Sequence, residues 1–222
     1  MTRVAEAPAI GITIVALTSY GIARSTVVPD SVHFATNTAA IAVIAAIAAI
    51  AGLSRDDVGL SREALPAGVR VGALAVFTVG VVVAAAVIVV GSGPALVRDH
   101  VGRSIGDVLM QALVEIPVAT VLLEELAFRG VLGALFHRVV SPWRAVAATS
   151  LLFGLWHVPG AWSGTDLGGV ASVLAVIAAT TTAGSVFQLM KDRTGSLVAP
   201  GLAHWATNGL SLLIVWLVVG RG

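Results

Sequence analysis

Seven apolar stretches, near residues 8–23, 34–53, 69–91, 105–139, 143–158, 168–190 and 195–220, follow one another along the chain. Most approach the ~20 residues that a helix needs to cross about 30 Å of hydrocarbon. Lipid offers no partners to open backbone groups, and the runs do not alternate, so helix is the conformation left to them. Composition agrees: of 222 residues 57% are hydrophobic and 11% charged, and mean hydropathy is +0.97. A core of this size cannot hide so much apolar surface. The chain is therefore expected to be all-α, a polytopic integral membrane helix bundle of seven transmembrane helices. The fourth stretch is too long for one perpendicular span. If it breaks near Pro117, rather than tilting or protruding, the count becomes eight.

Turn formers fall between the stretches: Pro29-Asp30-Ser31, Gly91-Ser92-Gly93-Pro94, Ser141-Pro142 and Asp192-Arg193-Thr194-Gly195. Segment 54–68 reads as a loop able to carry a short amphipathic helix. The first stretch has Glu6 close to Arg3 and no small-x-small site before Arg24, which favours an uncleaved anchor over a signal peptide. An inside N-terminus puts Arg3, Arg55, Arg62, Arg70, Arg138, Arg144, Lys191 and Arg193 on the cytoplasmic side. It leaves Arg24, Arg98, Arg103 and Arg221 outside. Eight against four sets the N-terminus in the cytoplasm, with the cell membrane as the expected location.

A net charge of +1 leaves no basic surplus for nucleic acid, which is excluded as a partner. The absence of cysteine removes disulfides, thiolate metal sites and thiol catalysis.

Within the fourth stretch three charges stand together: Glu124, Glu125 and Arg129. Each costs on the order of 2.5–3.5 kcal/mol at the bilayer centre, so each needs protein or water around it. Glu125 and Arg129 are four apart and share a helix face, which predicts a structural ion pair. Glu124 is turned about 100° away and is left free for chemistry. Phe153 and His157 repeat the four-residue spacing, as do His204 and Asn208. Depth links the three motifs. Counted from the expected cytoplasmic ends, Glu124 lies about 22 Å along its helix, His157 about 21 Å, and His204 and Asn208 about 14 and 20 Å. One intramembrane site is expected.

A carboxylate beside an imidazole can hold a water and take its proton. A second imidazole with a carboxamide can donate to a developing oxyanion. Glu124, His157 and His204 are equally a donor set for zinc, although the common His-Glu-x-x-His signature is absent. Gln111 and Glu115 are expected at the interface or in a polar contact between helices, and Gln188 near the cytoplasmic interface. His33, His100 and His137 flank spans and should be solvated. Trp143, Trp162 and Trp216 suit interfacial anchoring.

Glu124-Glu125-x-x-x-Arg129, Phe153-x-x-x-His157 and His204-x-x-x-Asn208, in that order on helices, resemble the CPBP/Abi family of intramembrane proteases. That family includes the CAAX prenyl endopeptidases related to the Ras-converting enzyme. Phe128-Arg129-Gly130, Trp156-His157 and Thr194-Gly195-Ser196-Leu197 fit as well, and the resemblance covers about 105–215. It implies that 105–222 is a catalytic helix bundle and 1–104 three further spans with a cytoplasmic loop. By the same resemblance Glu124 and His157 would activate water, and His204 and Asn208 would form the oxyanion hole. Glu125, Arg129 and Phe153 would support them. The family is described both as metalloproteases and as metal-free glutamate proteases; the spare carboxylate favours the metal-free form. The implied partners are the bilayer and a membrane-associated peptide or protein substrate, including prenylated CAAX-type ends. A non-enzymatic immunity or binding factor of the same family is the alternative, with a proton or solute transporter third. Ala127, where the family often has a bulkier apolar residue, bears on pocket shape only.

Overall fold

The computed structural model describes residues 3–90, 102–164 and 169–219, and among these every extended regular element is a helix. In chain order the helices are α1 (Arg3–Thr26), α2 (His33–Ile50), α3 (Leu65–Val90) and α4 (Ile105–Val139). There follow α5 (Pro142–Trp156), the short α6 (Val158–Gly164), α7 (Val170–Thr194) and α8 (Val198–Val218). All but α5 and α6, six helices, are long and apolar enough to cross a membrane. The fifth apolar stretch forms α5, at 15 residues shorter than the others. The protein is an integral membrane helix bundle.

The fourth stretch does not break at Pro117. It is one helix of 35 residues that widens into π-helical turns over Gln111–Val121 and Glu125–Leu132. Proline lacks an N–H and crowds the preceding turn, and a wider turn absorbs both defects. The Pro117 carbonyl is taken up by the N–H of Leu122, five residues on. From Leu123 to Leu135 every residue of α4 is buried, so this half of the helix is the axis of the bundle. Leu126, Phe128, Val131, Leu132 and Leu135 join Leu17 of α1, Ile44 of α2 and Phe153 of α5 in the main core. Outward-facing apolar residues such as Ile50 and Val89, each more than four-fifths exposed, form the surface offered to lipid.

Small residues fix how closely the helices approach. A Cβ at Gly184 of α7 would stand 3.1 Å from the Phe153 ring and 3.2 Å from Ser150 Cα. A Cβ at Gly154 of α5 would stand 3.0 Å from the Ile177 carbonyl and collide with Thr181 Oγ1. Such contacts let backbones pack where no hydrophobic driving force operates between helices. They hold Phe153, and the His157 that follows it, against α7 and α4.

Segment 54–60 forms turns rather than an amphipathic helix, because its polar groups bond one another and the helix ends. Ser54 donates its N–H and Oγ–H to Asp57 Oδ2, both at 2.8 Å. Arg138 of α4 reaches Asp57 and Glu6 at 3.1 Å each, and Lys191 of α7 donates to the Asp57 carbonyl at 2.9 Å. The Ser54 N–H, joined by its hydroxyl and the Arg138 guanidinium, holds the Asp57 carboxyl below its ordinary range against an opposing effect of burial second only to that N–H. The start of α1 and the ends of α4 and α7 thus meet at one end of the bundle. Gly195, at φ 68°, ends α7 in the left-handed conformation.

Candidate active site

Glu124 sits on α4 between the two π-helical segments, and α5 and α8 bring imidazoles to it. Its Oε2 lies 3.9 Å from His157 Nε2 and 3.8 Å from His204 Nε2, and has no hydrogen-bond partner although it is buried. Its Oε1 accepts from the Trp156 indole N–H at 3.3 Å. The two histidines are fixed in the same tautomer. His157, at the C-terminal cap of α5, has Nδ1 2.8 Å from the Phe153 carbonyl. His204 has Nδ1 2.8 Å from Glu125 Oε1. Each acceptor needs a proton on Nδ1, so each neutral ring presents an Nε2 lone pair toward Glu124.

The neighbouring carboxylate is differently placed. Glu125 Oε1 faces Arg129 at 3.1 Å as well as His204, and both members of the ion pair are at most 2% exposed. The Arg129 guanidinium lies 3.9 Å from the centre of the Phe153 ring and 5.1 Å from that of Phe187. Phe187 stacks on His204, with centroids 5.3 Å apart. Glu125 therefore has two partners where the helix spacing predicts Arg129 alone.

Asn208 is not joined to this cluster. It is exposed, and its Oδ1 accepts from Thr207 Oγ1 at 3.5 Å. The reason is local: Ala206–Leu210 is a π-helical turn, with Ser211 N–H bonded to the Ala206 carbonyl, so residues four apart no longer share a face. Trp205 donates to the Ala112 carbonyl of α4 at 2.8 Å beside this turn. A Cβ at Gly209 would meet the same carbonyl at 2.8 Å.

Trp156 and Phe187 are site residues that the motifs do not flag by chemistry. Trp156 is readable only as the neighbour of His157, and Phe187 has no signal beyond lying in an apolar helix. Gln188 is fully buried and bonds Asp192 at 2.8 Å, near the end of α7. Trp143 and Trp162 are exposed as anchors would be, whereas Trp216 is buried and donates to the Arg103 carbonyl at 3.2 Å. His33 and His137 are held by the Val28 carbonyl and Asp192; His100 lies outside the described residues.

The donor set suits a metal in kind but not in spacing. Donors 2.0–2.1 Å from a tetrahedral zinc lie about 3.4 Å apart. Here the two oxygen–nitrogen separations are 3.9 and 3.8 Å, and no three acidic or imidazole groups among the described residues could hold an ion together. They do suit a water, which bridges polar groups too far apart to bond directly.

An apolar cleft of about 520 Å³ opens beside the cluster between α4 and α8. Pro117, Val121, Leu202 and Trp205 line it, and Glu125 is its one charged wall residue.

Residues 107–210 match the family model described as Rce1-like, type II CAAX prenyl endopeptidase. The matched segment contains all three motifs. No curated protein and no solved structure matches the chain. Over residues 107–210, then, the chain is similar to the Rce1-like family of type II CAAX prenyl endopeptidases, and it carries that segment in a membrane helix bundle.

Proposed function

We propose that the protein is an intramembrane endopeptidase that cleaves membrane-associated peptides, prenylated CAAX-type ends among them, with a water activated by Glu124. The observation that carries this reading is the buried, unpartnered Glu124 Oε2, 3.9 and 3.8 Å from two imidazole nitrogens that have no proton to give it. A water held there donates one hydrogen to Glu124 and the other to His157. Glu124 takes the first as the oxygen attacks the peptide carbonyl carbon, and passes it to the departing amine. His204, oriented by Glu125, takes up a proton from solvent water on Nε2 as substrate binds and donates it as a hydrogen bond to the negative oxygen, and the Asn208 carboxamide is its proposed companion. Arg129 offsets the charge of Glu125, and Phe153 packs the site. No step is assigned to a metal. The cleft between α4 and α8 gives a lipid-borne substrate a sideways approach to the cluster. The positive-inside bias puts the N-terminus and segment 54–60 in the cytoplasm.

The test is hydrolysis of prenylated and unprenylated membrane peptides by purified protein in nanodiscs. Glu124→Ala and His157→Ala are each expected to lower turnover by about 10²–10⁴-fold, with thermal unfolding unchanged. Chelator should leave wild-type turnover intact. Full turnover by either variant, or no turnover by wild type on any peptide, overturns the proposal.

A further inference from the structure

The reaction needs one oxygen of the Glu124 carboxylate aimed at the space between His157 and His204. Nothing within a glutamate fixes that aim, because its last torsion is broad and roughly two-fold. Among the described residues the one donor on either oxygen is the Trp156 indole N–H, 3.3 Å from Oε1. Trp156 closes α5, one residue before His157. Its ring also borders an apolar cavity of about 230 Å³ between α1, α4 and α5, with Leu17, Thr18, Leu132 and Leu155 in the wall. The ring has room to swing, so its neighbours must hold it.

The holder is α1. Gly21 comes so near that a Cβ on it would stand 2.8 Å from Trp156 Cζ3 and 3.1 Å from Cε3. Only a residue without a side chain lets a helix backbone approach a ring this closely. Tyr20 stacks on the indole with centroids 6.4 Å apart, and its hydroxyl donates to Asn37 of α2, which is 3% exposed. Phe128 of α4 meets the indole edge-on at 5.9 Å. Ring contacts of this kind set orientation as well as buried area. We propose that Trp156 is a positioning residue: seated on Gly21 and Tyr20, its N–H holds Glu124 Oε1 and thereby turns Oε2 toward both imidazoles. The first helix, outside the segment 107–210 that carries the three motifs, then enters the chemistry through one indole. The inference rests on Glu124 being the base of the reaction.

Two arms test it. The first reads the Trp156 N–H by nuclear magnetic resonance of protein with isotopically labelled tryptophan in detergent, the signal being assigned by its loss in Trp156→Phe. Glu124→Gln, which replaces a charged acceptor with a neutral one, should move that signal, and so should Gly21→Ala, from the far side of the ring. A signal that ignores either substitution overturns the inference. The second arm is kinetic. Benzothienylalanine in place of Trp156 keeps the ring's shape and has sulfur where the N–H was. It should lower kcat about 10–10²-fold with KM unchanged, as loss of a hydrogen bond to a charged group does. Gly21→Ala should lower kcat in the same way. Added to Trp156→Phe it should cost nothing more, because the smaller ring no longer meets the new methyl. Full kcat with benzothienylalanine, or additive losses in the double variant, would overturn the inference. A Trp156 signal tied to Glu124 and Gly21 without any cleavage by wild type would sink the protease reading and leave the positioning standing.

Discussion

Two adjacent glutamates in one buried helix have opposite circumstances. Glu125 is bound on both sides, by Arg129 at 3.1 Å and His204 at 2.8 Å. Glu124 has an indole on one oxygen and nothing within hydrogen-bonding distance of the other. Removing the charge of Glu125 strands a guanidinium that is 1% exposed, and breaking a buried pair from one side costs about 3–5 kcal/mol. Glu125→Gln is therefore expected to lower the unfolding midpoint by several degrees, and Glu124→Gln to leave it nearly unchanged. Thermal unfolding in one detergent checks the contrast. Full stability in Glu125→Gln with lost hydrolysis would move Glu125 from support into chemistry. The split between the two carboxylates is legible in the sequence, because four-residue spacing pairs Glu125 with Arg129. The bond from Glu125 to His204 is not, since nothing in a linear chain says which face of α8 meets α4.

At the scale of elements, the same limit appears at Asn208. Spacing puts it on the face of His204, and the π-helical turn over Ala206–Leu210 takes it off that face. Asn208-Gly209 within it marks a weak point in the helix but not which residues move off the face; close packing of Trp205 and Gly209 on the Ala112 carbonyl accompanies the turn. The widened turns of α4 are partly readable, since Pro117 obliges the helix to give way somewhere, while those over Glu125–Leu132 contain no proline. The crossing of α5 on α7 depends on small residues. Gly154→Leu should push the helices apart, costing about 1–3 kcal/mol or more, and carry His157 away from Glu124. Lower unfolding temperature together with lower turnover is the expected pair of readings; unchanged stability would show that this crossing is looser than its distances say.

For the molecule as a whole, the run of apolar stretches dictates helices in lipid, and two long helices, α4 and α8, with the shorter α5 bring their polar groups together. The central position of α4 follows from its sequence only in part. An apolar run of 35 residues must lie tilted, long or buried, and burial on every side from Leu123 to Leu135 is what makes a charged triplet tolerable there. The N-terminal helices, whose sequence is generic, prove to wall the core around Phe128 and, through α1, the cavity beside Trp156. The central claim is that water, and not the carboxylate itself, attacks the peptide. Single-turnover cleavage in heavy-oxygen water tests it directly, with product and protein both weighed by mass spectrometry. The account predicts one heavy oxygen in the new peptide carboxylate after the first turnover and none in Glu124. A first-turnover product without the label, followed by label appearing in Glu124, would contradict it.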